Sequence, residues 1–139
     1  MTISRIATVL SLIGAAFILY IGISYLVTPE TTATGFGLPE WPKGDAVAFM
    51  NLKGVRDIVS GLIILVLLAT KQRYALGIVT LVIALVPIGD MLTVLSWGGS
   101  TAAAFGIHGL TAALVAVTGV LLIRERTFAN RQERAEVKA

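Results

Sequence analysis

The sequence predicts an all-α integral membrane protein, a four-helix bundle of antiparallel up-down topology, and three observations predict it. Apolar residues make up 56% of the 139-residue chain against 14% charged, and the mean hydropathy is +0.88, which leaves a water-soluble domain of this size short of polar surface. Four windows reach the ~20 mainly apolar residues that a helix needs to cross ~30 Å of hydrocarbon. The Lys and Arg residues outside those windows gather at one end of the resulting bundle. Because backbone groups in lipid must be satisfied within the segment, helices are the only open-ended solution.

The first span covers residues 6–27 and closes at Thr28-Pro29. The apolar run after Arg5 is long for a secretion signal and contains Tyr20 and Tyr25, so it is read as a retained span. Spans two, three and four cover residues 46–70, 74–97 and 102–123. The connections "KQR" and "GGST" are short enough to make antiparallel neighbours. A longer connection, "TPETTATGFGLPEWPKGD", joins spans one and two. Its Phe36, Leu38 and Trp41 suit either a lid or an interfacial tether, with Trp41 and Trp97 as anchors. Asp45 stands where a cap for span two is expected. Residues 1–126 form one membrane domain, and residues 127–139 a polar tail of alternating charge.

Arg5, Lys71, Arg73, Arg124, Arg126, Arg131, Arg134 and Lys138 lie at one end, whereas Lys43 is the only basic residue at the other. Cytoplasmic flanks carry the Lys/Arg excess, so both termini are expected in the cytoplasm, a bacterial plasma membrane being the expected setting. The absence of cysteine removes thiolate chemistry, and a single histidine excludes a multi-histidine metal site. No cofactor or metal is expected. The net charge of +3 lies beside apolar spans rather than along an exposed basic face, so nucleic acid is not a partner. The partners left are the lipid bilayer, a lipophilic small molecule and a second copy of the chain.

The chemistry-bearing residues sit inside the spans. At 1.5 Å of rise per residue, Lys53, Arg56 and Asp57 in span two, Asp90 in span three, His108 in span four and Tyr20 in span one all fall about 10–15 Å from the same end. Asn51 completes the set. Lys53 and Asp57 are an i,i+4 pair, while Arg56 points about 100° away from Asp57 and is expected to pair with Asp90. Phe49, Lys53, Arg56, Asp57 and Ser60 are read as one stripe. Each mid-span charge costs ~2.5–3.5 kcal/mol against ~0.3–0.6 returned by a Leu, Ile, Phe or Val. Span two is therefore expected to depend on partners inside the bundle, brought close by Gly54 and Gly61. Pro87, in "VPIGD", predicts a kink near Asp90.

With "GFGLP", "LKGVRDIVSGL", "ALVPIGDML" and "HGLTAALVAVTGVLLI" in this order, the chain resembles the family catalogued as domain of unknown function 4267, over about residues 6–125. The Gly-x-Arg-Asp and Gly-Asp elements are the most specific parts of the likeness. The resemblance implies four spans and carries no catalytic role onto Arg56, Asp57 or Asp90.

Four functions compete for these residues. In a binding protein Tyr20, Asn51, Lys53, Arg56, Asp57, Asp90 and His108 line a chamber for a small amphipathic or lipid-like ligand. In an enzyme the same groups act as acid and base, with His108 as proton shuttle, on a lipophilic substrate undergoing isomerisation, cyclisation or epoxide opening. A transporter would use Asp57 and Asp90 as proton carriers. In a structural or accessory subunit the charges close into an ion-pair network that fixes helix order.

Overall fold

The computed structural model describes residues 3–136, with side chains through Glu125. Helix α1 (Ile3–Val27) is followed by the short α2 (Pro29–Thr34) and an irregular segment ending in a 3₁₀ turn (Gly44–Val47). Then come α3 (Ala48–Ala69), α4 (Arg73–Ile83) and α5 (Leu85–Ser96). The last span opens with α6 (Thr101–Ala103), passes through a π-helical turn (Ala104–Gly109) and continues as α7 (Leu110–Glu136). Helices α4 and α5 are two halves of one span, so the four expected spans are present. The tail's backbone continues α7 to Glu136, while its side chains and residues 137–139 lie outside the described residues.

Three of the spans are long and apolar enough to cross a membrane, whereas α3, with its charges, falls short. What surrounds the bundle is apolar: Ile13, Val27, Leu52, Val82 and Leu85 are each exposed by half or more. A bundle that is hydrophobic outside and takes Lys53 and Asp57 within is built for lipid.

The bundle is assembled from two close pairs, α1 with α3 and α4 with α7. Glycines set both crossings. A Cβ on Gly22 would come within 2.7 Å of the Gly54 carbonyl oxygen, and one on Gly54 within 2.7 Å of the Gly22 oxygen. Gly77 and Gly119 stand in the same reciprocal relation, at 3.1 and 3.0 Å. Without a solvent-driven hydrophobic effect between helices in lipid, such backbone approach is the main source of packing energy. Gly61 admits Leu19 in the same way.

Where a kink is expected the helix is interrupted: α4 gives way to α5 at Ala84, one turn before Pro87. Proline at 87 cannot donate to Ile83, and the neighbouring Ile88 amide bond to Ala84 is stretched to 3.4 Å. Asp45 does not cap α3: it lies inside the 3₁₀ turn, and the start of α3 has no side-chain cap. The 3₁₀ turn itself leads the chain into the helix, which removes the need for one.

The end remote from the long loop is tied by Arg73. Its Nε and Nη2 donate to Glu125 Oε2 at 2.9 and 2.8 Å, Nη1 donates to Thr8 Oγ1 at 3.0 Å, and Nη2 also to the Ser4 carbonyl at 3.1 Å. One guanidinium thereby joins α1, α4 and α7. A testable consequence concerns the glycine crossings. Gly54→Val is expected to destabilise the protein by about 1–3 kcal/mol, the cost of overpacking a close contact. Gly14→Ala, where an added Cβ meets nothing within 4 Å, should leave stability unchanged; thermal melting in detergent checks both.

Candidate functional site

Helix α3 presents Met50, Gly54, Asp57, Gly61 and Ile64 to the bundle interior. The face is chosen by its glycines, because only there can α1 approach. Asp57 is thus carried inward, with its side chain 6% exposed, and Lys53, one turn earlier, lies at the edge of the same face at 19%. Lys53 Nζ donates to Asp57 Oδ2 at 3.0 Å and stands 3.6 Å from Asp90 Oδ2 on α5. Asp90 is the more accessible carboxylate, at 26%.

Two aromatic rings complete the surroundings of this ammonium. Nζ lies 5.3 Å from the ring centroid of Tyr25, on α1, and 5.6 Å from that of Phe36, in the long loop. Both are inside the ~6 Å reach of a cation–π attraction. Phe36 is held in turn by His108. Their rings are 4.6 Å apart, and His108 Nε2 is 2.8 Å from the Phe36 carbonyl oxygen. A carbonyl only accepts, so the imidazole carries hydrogen on Nε2. His108 reaches this position from the π turn, whose wider winding shifts the residues after it relative to a regular helix.

The loop is fixed at further points. The Gly37 carbonyl accepts from the Ser100 amide at 2.8 Å, and Gly37 takes φ +99°, a left-handed conformation suited to glycine. Trp41 packs beside Tyr25, Ala33 and Met50. Shallow concavities lie on either side of these features, one of about 420 Å³ between Thr34, Gly37–Pro39 and Gly98–Ser100, and one of about 350 Å³ along α3. Neither is lined by Lys53, Asp57 or Asp90.

Of the residues read from the sequence, Lys53, Asp57 and Asp90 come together and His108 joins them through Phe36. Tyr20, Asn51 and Arg56 do not. Arg56 is exposed and makes no ion pair among the described residues, so the expected Arg56–Asp90 pair is replaced by Lys53–Asp90. The expected stripe of Phe49, Lys53, Arg56, Asp57 and Ser60 is split: Lys53 and Asp57 turn inward, while Arg56 and Phe49, 70% exposed, turn outward. Tyr20, 68% exposed, faces away because α1 packs through Ala7, Ser11, Ala15 and Gly22, on the opposite side. That stripe leads to Tyr25, 4% exposed, the aromatic that the sequence reading missed. Phe36 was visible only as a loop aromatic.

A membrane-embedded four-helix bundle, crossed by a charged layer of one lysine and two aspartates under an ordered loop, is the class of protein these features define. Over residues 15–122 the chain matches the family model described as Domain of unknown function (DUF4267). It belongs to that family. No curated protein and no solved structure matches it.

Pairing makes Lys53 the residue on which the layer depends. Lys53→Met leaves the buried Asp57 and the partly exposed Asp90 without their lysine and is expected to cost about 3 kcal/mol, the lower end of the range for a broken buried pair. Adding Asp57→Leu and Asp90→Leu to it should recover much of that loss. Melting of the single and triple variants, compared by a mutant cycle, measures the coupling.

Proposed function

We propose that the protein is a membrane-embedded binding protein, holding a small amphipathic, lipid-like molecule at the charged layer beneath the loop. The observation that carries this reading is Phe36: a residue of the extramembrane loop covers Lys53, its ring against His108 and its carbonyl on His108 Nε2, beside the Gly37–Ser100 hydrogen bond. These loop contacts are separate from the glycine crossings that join the spans, so the cover can lift while the spans stay packed. The charges beneath it are unequal. Two carboxylates face one ammonium, and the partly exposed Asp90 makes the longer contact. A head group carrying a hydroxyl or an amine would donate to that carboxylate, while the apolar remainder of the molecule lies among the helices.

The reading is tested by melting the purified protein with membrane lipid extracts and with a panel of lipophilic alcohols, amines, acids and carbonyl compounds. A bound ligand stabilises by mass action, by about 2.7 kcal/mol at a hundred times its Kd. Asp90→Asn, which keeps the Lys53–Asp57 pair, should fold and lose most of that gain. Absence of any shift across the panel would leave the second reading, a structural latch, which the pairing of Lys53 with both carboxylates favours.

The direction of the bundle is part of the same proposal. The Lys and Arg distribution favours the loop and the charged layer on the outer side, with both termini cytoplasmic. Cysteines placed at Gly99 or Ser100 should then react with an impermeant thiol reagent applied to intact cells, and one at Gln72 should not. The opposite labelling would put the layer on the cytoplasmic side.

A further inference from the structure

Arg56 lies one turn beyond Lys53 on α3, about 12 Å of helical rise from the loop end of that helix, and it is exposed on the outside of the bundle. Among the described residues no carboxylate pairs with it, although Asp57 is its neighbour in sequence. Directly below it, toward the C-terminal end of α3, runs the groove of about 350 Å³ lined by Val59, Leu62, Ile63, Val66 and Leu67. Val59 and Ile63 follow Arg56 at i+3 and i+7, so the groove continues the arginine's own face. Its walls are open to the surroundings, Val59 47%, Leu62 49% and Val66 59% exposed. From Arg56 to Leu67 the helix rises about 16 Å.

We propose that Arg56 and this groove form a binding site for an anionic phospholipid of the leaflet on the loop side, with the phosphodiester on the guanidinium and one acyl chain in the groove. Polarity and direction both match. The Cα–Cβ bond of a helical residue leans toward the helix N-terminus, which for α3 is the loop end, so the guanidinium is aimed at that leaflet's head groups. The planar fork of an arginine takes a phosphate in two parallel hydrogen bonds. An acyl chain descending from such a phosphate runs toward the C-terminal half of α3, where the groove lies. The site is distinct from the charged layer, since Lys53 and Asp57 are turned to the interior and Arg56 is not.

The test is native mass spectrometry of the full-length protein, released from detergent after equilibration with equal amounts of phosphatidylglycerol and phosphatidylcholine. The parent is expected to retain the anionic lipid by about fivefold over the zwitterionic one, the factor expected for one basic residue at a lipid head group. Arg56→Gln should fold and melt close to the parent, since it breaks no hydrogen bond or contact ion pair among the described residues and gives up only the longer-range attraction to Asp57, and should lose the preference. Val66→Trp, which fills the groove and leaves the charge in place, should lower retention of both lipids. The proposal is overturned if Arg56→Gln keeps the preference, or if Val66→Trp retains both lipids as the parent does. It is also overturned if the parent is a dimer that Arg56→Gln dissociates, since a second copy would then cover the site.

Discussion

A charge inside a membrane must find a counter-charge, and in this protein that constraint falls on Lys53. Helix α3 is too polar at its loop end to count as an independent span, so its place in the membrane is a property of the bundle. Asp57 is supplied by the same helix, but Asp90 comes from α5 and Tyr25 from α1. Three spans must therefore be in register before the lysine is accommodated. The break at Ala84 lies in the same span, about one and a half turns before Asp90.

The two ends of the bundle solve the same electrostatic problem differently. At the far end Arg73 reaches Glu125, Thr8 and the Ser4 carbonyl, a set of partners that satisfies much of its fork and joins three helices. This contact lies near the helix ends, where polar groups are cheap. The Lys53 layer lies deeper and is held by two carboxylates and two rings. Each end has its own glycine crossing, Gly22–Gly54 within the Lys53 layer and Gly77–Gly119 one turn from Arg73. Close backbone contact thus fixes the helices at the same depths where the polar contacts are made.

How far this was legible in the sequence depends on what sets each feature. Span number and limits follow from length and hydropathy, which act on each segment alone, and the ends of α1 and α3 fall within a few residues of the expected ones. The convergence of Lys53, Asp57 and Asp90 was also legible, since depth follows from rise per residue. Rotation was not. Which face of a membrane helix turns inward is set by where a neighbouring backbone can approach, and that is decided by Ala7, Ser11, Ala15 and Gly22 on α1 and by Gly54 and Gly61 on α3. Weighting polar residues over small ones selected Tyr20 in place of Tyr25, and Arg56 in place of Lys53 as the partner of Asp90. Phe36 was illegible for another reason: its position depends on contacts from Ser100 and His108, more than sixty residues away in the chain, and on a π turn that no local pattern announces.

The different fates of Lys53 and Arg56 follow from the same rotation. They are three residues apart, about 60° around the helix, and both are cations that a lipid-facing position would penalise. The glycine face takes in Lys53 with Asp57, so that one charge is used up in holding helices together. Arg56 is left on the outside of a span that already depends on its neighbours for insertion. A leucine there would have made α3 easier to insert, and the packing of the bundle does not require a cation at that place. Within the chain the arginine keeps only a longer-range attraction to Asp57, so its hydrogen-bonding fork is left for something outside the chain, and in a bilayer the first candidate is the lipid against which it lies.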